Sequence, residues 1–432
     1  MKSLIVQPQS QPLTGIVDVP GDKSISHRAL IFAALAEGTT TIRGLATSED
    51  VANTRKVLVA LGTKIKIDGE LVTVTGRGGS FDKAEDILYC GNSGTTMRLM
   101  LGVLAGQPFK SCLTGDASLN RRPMDRVIEP LAKMGAKFSV KTDKKWGRMI
   151  EVVGCRPLDS ISYVLPVASA QVKSAILLAD LFATGVSQIG EPSPSRDHTE
   201  RMLPMWGCQP GSKKLTAPRQ PVKIPGDISS AAFFVAAASL IAGSDVQIAD
   251  VGVNPSRTGI LDVMKRWKGE VTWNTSDAHD EPMSNLKIRS SRLQGEELNI
   301  EGDLIPRLID EIPVIGMLGA FAGGILRVRD AKELRVKESD RIETLAQELR
   351  RMGALVTTSP DGFDVEGGGS LKPATFESHG DHRIAMTFAV AGLALKGGPT
   401  TVHNTDCIAT SFPEFVSTLR KLRADIQEVT HV

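Results

Sequence analysis

Aromatic side chains are scarce: 4% of the chain, with only two tyrosines and four tryptophans. That is too few to furnish the stacking platforms that single-stranded nucleic acid binders need. An excess of one charge is also missing. The 51 basic and 49 acidic residues leave a formal charge of +2, so no global field draws in nucleic acid or an anionic membrane. Anion binding has to come from local clusters. The cysteines Cys90, Cys112, Cys155, Cys208 and Cys407 form no CxxC pair and are odd in number, which describes reduced thiols packed in a core in a cytosolic protein. The longest apolar run, "SSAAFFVAAASLIAG", falls short of the roughly 20 residues that span a bilayer. "MKSLIVQPQSQPLTG" lacks the apolar core of a signal peptide. A Walker loop, a dinucleotide-binding glycine fingerprint and a Ser/His/Asp order are absent too, which disfavours nucleotide and nicotinamide chemistry. These absences describe a soluble, cytoplasmic protein that engages neither nucleic acid nor membrane. Its 432 residues exceed what one core organises, so two domains are expected.

What is there is repetition. A polar loop, an Ala/Leu-rich helix, a Gly and a β-rich stretch recur, followed by an amphipathic helix and another strand. The first halves are "DKSISHRALIFAALAEGTTTIRG", "GNSGTTMRLMLGVLAGQPFKSCLTG", "ASAQVKSAILLADLFATGVSQIG", "GDISSAAFFVAAASLIAGSDVQIAD", "IDEIPVIGMLGAFAGGILRVRD" and "GDHRIAMTFAVAGLALKGGPTTVHN". Second halves such as "MDRVIEPLAKMGAKFSV" and "RIETLAQELRRMGALVTT" carry apolar residues at helical spacing, then a Gly stop and an alternating strand. The first helix of each unit is apolar all round and should be buried, while the second should cover the outside. A period of roughly 60 to 80 residues is longer than solenoid repeats, which favours closed domains of three units each. The pattern breaks in "KLTAPRQPVKIPGDISS". We therefore expect one domain from residues 1–20 with 226–432 and another from 21–225. Hinges fall near Pro20–Gly21 and Pro225–Gly226, at the two "PGD" sites, and the short strand ahead of Gly21 pairs with the far half.

The polar loops hold the chemistry. A helix start behaves as a partial positive charge and disfavours cations, yet "PGDKSISHRA" places Lys23, His27 and Arg28 there beside Ser24 and Ser26. Cations, hydroxyls and backbone amides together suit a phosphate ligand. "GNSGTTMR" offers Asn92, Gly94, Thr95 and Arg98, as a capping turn or as a loop whose amides approach a ligand. Arg121 and Arg122 precede a proline at an expected helix start in "LNRRPMDRV". "ASAQVKSA" presents Ser169, Gln171 and Lys173. Asp310 and Glu311 precede an apolar helix, and Glu311 reads as an ordinary cap. "RVKESDR" packs Arg335, Lys337, Glu338, Asp340 and Arg341 together, able to hold an anion while leaving a carboxylate poised for proton transfer. His379, Asp381, His382 and Arg383 lie in "SHGDHRIAM", and Ser195, Arg196 and His198 in "SRDHTER". No metal-ligand spacing links these histidines. Five of six loops thus bring cations to helix starts; the fourth, "GDISSAAFF", has none. A cleft between domains lined in this way suits a pair of small charged substrates.

The ordered set "PGDKSISHRA", "GNSGTTMR", "NRRPM", "ASAQVKSA", "RVKESDR" and "GDHRIAM" resembles the motifs of the 3-phosphoshikimate 1-carboxyvinyltransferase (EPSP synthase) family, from about residue 7 to residue 425. The resemblance implies an α/β fold, a two-domain inside-out α/β barrel of six βαβαββ repeats, three per domain. It implies transfer of the enolpyruvyl group of phosphoenolpyruvate to the 5-hydroxyl of shikimate 3-phosphate with release of phosphate, a step of the shikimate pathway and aromatic amino-acid biosynthesis. No cofactor and no metal are implied, a monomer is expected, and glyphosate is the expected inhibitor. Carried over by position, Lys23, Ser24, Arg28, Ser169, Gln171, Ser195, Arg196, Asp310 and Lys337 would bind shikimate 3-phosphate. Lys23, Asn92, Gly94, Arg122, Gln171, Arg341 and Arg383 would bind phosphoenolpyruvate. Asp310 is the implied base for the hydroxyl. Glu338, with Lys23 and His382, is the implied acid/base group at the methylene.

Two departures stand out. Several members carry a lysine just before "FP", where "CIATSFPEF" has Thr410 and Ser411; Lys173 is the implied substitute. His198 stands where other members have tyrosine. The UDP-N-acetylglucosamine enolpyruvyl transferases share the fold but use a loop cysteine that "GDASLNRRP" lacks. Against a non-catalytic phosphate binder stand Asp310 and Glu338, acids that are costly beside anions unless they move protons.

Overall fold

The computed structural model describes residues 2–209, 212–274, 281–295 and 297–430. The chain divides into two compact units, one of Met1–Pro20 with Pro225–Val432 and one of Gly21–Ile224. Each has its own core, the first around residues such as Leu4, Phe234, Ile315 and Phe388 and the second around Phe32, Leu101, Ile176 and Trp206.

Three apolar helices fill each core. In the Gly21–Ile224 unit these are α1 (Lys23–Leu35), α2 (Gly94–Ala105) and α3 (Ala170–Asp180); in the other they are α4 (Ile228–Leu240), α5 (Ile312–Phe321) and α6 (His382–Ala394). A helix with no polar stripe has no face to show to water. α4 is accordingly buried from Ile228 through Ser239, with Phe233 and Phe234 packed on Phe412 and Phe415 at ring separations of 5.9–6.2 Å. α2 and α3 meet backbone to backbone: a Cβ on Gly102 would lie 2.2 Å from the carbonyl oxygen of Ala175. The second helices bury one face only, as in Asp125–Lys133 and Arg341–Arg351. Their glycine stops take the left-handed conformation, with φ of +108° at Gly135 and +94° at Gly353, as a helix C-terminus running into a strand requires.

Sheets enclose the helices. In the second repeat, Leu88–Tyr89 runs parallel to Lys110–Thr114, which pairs antiparallel with Gly147–Val153, which pairs with Lys137–Asp143. Among the described residues this four-strand order recurs in five sheets. The strands that lead into α1 and α4 are exchanged. Thr14–Val17, which precedes α1 in sequence, pairs parallel with Asp245–Gly252 after α4. Val222–Lys223, which precedes α4, pairs parallel with Thr39–Arg43 after α1. The N-terminal strand Lys2–Val6 completes the sixth sheet, antiparallel to both Thr400–His403 and Ile426–Thr430.

The third repeat departs from the expected βαβαββ pattern. Among the described residues its sheet has two strands, Ser162–Val164 and Gln188–Gly190, and its second half forms a short helix, His198–Met202, and a 3₁₀ turn, Leu203–Trp206. Pro192, Pro194, Pro204 and Pro218 interrupt this stretch, and proline cannot donate to a ladder. No helix among the described residues is long and apolar enough to cross a membrane.

Candidate active site

The two PGD motifs explain themselves locally. A Cβ on Gly21 would lie 1.9 Å from the carbonyl oxygen of Gly44, and one on Gly226 would lie 2.8 Å from Val19. The aspartates that follow cap helices: Asp22 accepts from the Ile25 amide at 2.9 Å, and Asp227 from the Ser229 amide at 2.8 Å. The start of α1, where cations are disfavoured, thus carries a buried capping carboxylate of its own.

In the Gly21–Ile224 unit, Lys23 pairs with Asp50 at 2.9 Å. Arg28 is buried and donates from Nε to Thr199 Oγ1 (2.8 Å), from Nη1 to the Ser24 carbonyl (2.9 Å) and from Nη2 to Ser174 Oγ (2.6 Å). His27 lies inside the core against Thr54 at 2.6 Å. Burial first, then the charges of Lys23 and Arg28, hold its pKa well below 6.5, so it is a neutral core histidine. Arg122 donates to Asn92 Oδ1 at 2.6 Å, while Asn92 donates to Asp116 at 2.7 Å. Gln171 accepts from Arg98 at 2.5 Å and donates to Thr95 Oγ1 at 2.8 Å. Gly94 lies between the two guanidiniums: a Cβ there would stand 2.9 Å from Arg98 Nη1 and 3.2 Å from Arg122 Nη1. Ser169 caps α3 by accepting from the Val172 amide. Ser195 donates to Glu191, and Arg196 is half-buried beside it.

In the other unit, one buried guanidinium organises the acids. Arg341, 1% exposed, donates to Asp381 at 2.8 Å and Glu338 at 2.6 Å, and reaches Asp310 at 3.4 Å. Burial alone would lower its pKa; the charges of Asp381 and Glu338 outweigh that and raise it. Burial pushes Asp381 up, but Arg341 overrides and holds its carboxyl below the usual range. Lys337 approaches Asp310 at 3.6 Å and Arg383 at 3.9 Å, and Arg383 also donates to the Asp310 carbonyl at 3.0 Å. Buried His382 meets Thr410 Oγ1 at 3.2 Å. That hydroxyl also donates to the Cys407 carbonyl at 2.7 Å.

Each unit thus sets cations and hydrogen-bond donors beside carboxylates, Lys23 at Asp50 in one and Lys337, Arg341 and Arg383 around Asp310 in the other, a chemistry suited to anionic ligands and proton transfer. Comparison with known proteins gives it a family. The model of the EPSP synthase family (3-phosphoshikimate 1-carboxyvinyltransferase) matches residues 7–419.

The chain belongs to the EPSP synthase family. It is 47% identical to the 3-phosphoshikimate 1-carboxyvinyltransferase of Thermosynechococcus vestitus, with 96% of this chain and 97% of that protein covered. With the same enzyme of Geobacter sulfurreducens the identity is 46%, over 98% and 99% of the two chains. The solved EPSP synthase of Acinetobacter baumannii superposes with a TM-score of 0.86 at 40% identity, covering 100% of both chains. The enolpyruvyl transferase NikO of Streptomyces tendae, at 18% identity and a TM-score of 0.77 over 100% of this chain and 99% of its own, shares the fold. The inside-out α/β architecture is thus that of the EPSP synthase family.

Several expectations change at the level of single residues. Arg335 and Asp340 pair with each other at 2.7 Å; Arg335 also donates to the Pro360 and Ser359 carbonyls, which pins a hairpin and leaves Lys337, Glu338 and Arg341 with Asp310. Arg121 ends the short helix Ala117–Arg121 and is exposed, so only Arg122 faces inward. Lys173 pairs with Glu191 at 2.6 Å and Glu200 at 2.8 Å. Burial tends to lower its pKa, but hydrogen bonds to those two acids raise it, so its charge is already matched and it is no ready substitute for a missing lysine. Thr410, one of the two residues that stand in place of that lysine, meets His382 instead. Glu311 makes no side-chain cap, and the fourth helix does have a cation, Arg257, which donates to Ser229 at 2.7 Å. Asp50, Glu191 and Arg257 went unread because each lies in a stretch that reads as plain helix start or loop; nothing in their spacing marks them.

Proposed function

We propose that these two residue sets bind shikimate 3-phosphate and phosphoenolpyruvate and carry the proton transfers between them. As a member of its family the chain is a transferase. It moves the enolpyruvyl group of phosphoenolpyruvate to the 5-hydroxyl of shikimate 3-phosphate and releases phosphate.

In this reading Lys23, Ser24, Arg28, Ser169, Gln171, Ser195, Arg196 and Lys337 hold shikimate 3-phosphate, with Asp310 on its hydroxyl. Lys23, Asn92, Gly94, Arg122, Gln171, Arg341 and Arg383 hold phosphoenolpyruvate. Asp310 takes the proton from the 5-hydroxyl as the oxygen attacks the substituted vinyl carbon. Glu338, with Lys23 and His382, delivers a proton to the methylene. The tetrahedral adduct then returns a methyl proton to the same acid/base group, re-forms the double bond and expels phosphate. Two anions repel each other, and a fixed array of cations offsets that repulsion and the entropy of bringing them together.

The observation that carries the reading is the setting of Asp310. Arg341, Lys337 and Arg383 stand 3.4–3.9 Å from its carboxylate, so the cations that would attract an anionic substrate are gathered around the group that would take its proton. The test is phosphate release with both substrates, repeated with Asp310→Asn. General-base loss should lower kcat about 10²- to 10⁴-fold while shikimate 3-phosphate still binds. No phosphate release by the parent protein would overturn the assignment.

A further inference from the structure

Asp310 and Glu311 are consecutive acids whose side chains are drawn to opposite partners. Asp310 faces Arg341, Lys337 and Arg383. Glu311, 1% exposed, accepts from the Ser229 hydroxyl at the start of α4. It also lies 3.7 Å from Arg257. Arg257, 3% exposed, donates to the same hydroxyl and stands 3.5 Å from the capping Asp227. Charges are buried only when paired, because desolvation is costly. Such a group serves stability poorly compared with an apolar contact, which raises the question of what it fixes.

We propose that Glu311, held by Arg257 and Ser229, is a positioning residue that sets the backbone at the start of α5 and thereby the aim of Asp310. The inference rests on the reading of Asp310 as the base. The clamp is two-sided. Arg383 grips the Asp310 carbonyl at 3.0 Å from one side, and Glu311 anchors the next residue from the other. The Glu311 carbonyl accepts from the Ile315 amide at 3.0 Å, so a shift of its side chain tilts the first turn of α5. Proton abstraction needs near-contact geometry, and displacement on the order of 1 Å costs about a hundredfold in rate.

The experiment is a double-mutant cycle of Glu311→Gln and Asp310→Asn, with phosphate release followed for hours at saturating substrates, alongside KM values and thermal melts. We expect folded Glu311→Gln to lose about 10- to 100-fold in kcat, with both KM values within about threefold, and no further loss when it is added to Asp310→Asn. Ser229→Ala, which removes only a hydroxyl, should show a smaller loss of the same kind and takes the place of Glu311→Gln if that variant does not fold. An unchanged kcat, a change confined to KM, or an equal loss in the Asp310→Asn background would each overturn the positioning role. A parent protein without turnover would instead overturn the function proposed above, and this inference with it.

Discussion

At Gly94 a single hydrogen atom decides whether two guanidiniums keep their places. The Cβ of an alanine would press on Arg98 and Arg122 at 2.9 and 3.2 Å, the far ends of flexible side chains, and Gly94 has no left-handed backbone to lose. Gly94→Ala should therefore fold with a stability change within about 1 kcal/mol. In the proposed site, displacing Arg122 would forfeit a charged hydrogen bond to phosphoenolpyruvate of about 1.5–3 kcal/mol. The expected result is a fall of roughly tenfold or more in kcat/KM for phosphoenolpyruvate, with KM for shikimate 3-phosphate unchanged. Equal kinetics in the two proteins would remove Gly94 and Arg122 from the phosphoenolpyruvate site. The sequence named both residues; that Gly94 touches Arg122, nearly thirty positions away, it could not say.

At the scale of elements, the two short N-terminal strands look alike in sequence yet carry different loads. Lys2–Val6 is an inner strand bonded on both sides, and its Leu4 is completely buried. Among the described residues Thr14–Val17 pairs on one side only, with Asp245–Gly252, and its Ile16 is 67% exposed. Leu4→Ala should cost about 2–5 kcal/mol in urea unfolding, whereas Ile16→Ala should stay within about 0.5 kcal/mol. Similar costs for both would mean that Lys2–Val6 is not part of the sixth sheet. Apolar helices and glycine stops were legible because burial and the left-handed C-cap are written in local pattern. Strand exchange around the PGD motifs was only partly legible: the far-half pairing of Thr14–Val17 follows from the repeat symmetry, but the placing of Lys2–Val6 in the last sheet depends on contacts some 400 positions apart.

For the molecule as a whole, acid sensitivity follows from what is buried neutral. His27 has no hydrogen-bond partner on Nε2 among the described residues, and its pKa in the fold lies well below 6.5. The unfolded chain thus binds a proton there first. Stability is full above about pH 6.5 and falls as pH drops toward the folded pKa, by up to about 1.4 kcal/mol per pH unit. Asp381, lowered by Arg341, adds loss of the same sign only in the more acidic range below the usual carboxylate pKa. Urea midpoints should fall between about pH 6.5 and 5, and His27→Asn, which keeps a partner for Thr54, should flatten that stretch. An unaltered slope in the variant would place the acid sensitivity elsewhere.

By itself the sequence determined which helices are buried, where they stop, and which loops carry Lys23, Arg122, Asp310, Arg341 and Arg383, because hydrophobic period, glycine and charge act over a few residues. Only the tertiary structure decided which of those charges are spent on one another. Lys173 on Glu191 and Glu200, and Arg257 on Glu311 and Asp227, are pairings between stretches well separated in the chain; Arg335 and Asp340 are neighbours in one motif, yet only the fold turns them to each other rather than to its other charges. A buried charge is settled by whichever opposite charge the fold brings within a few ångströms, and nothing local records that distance.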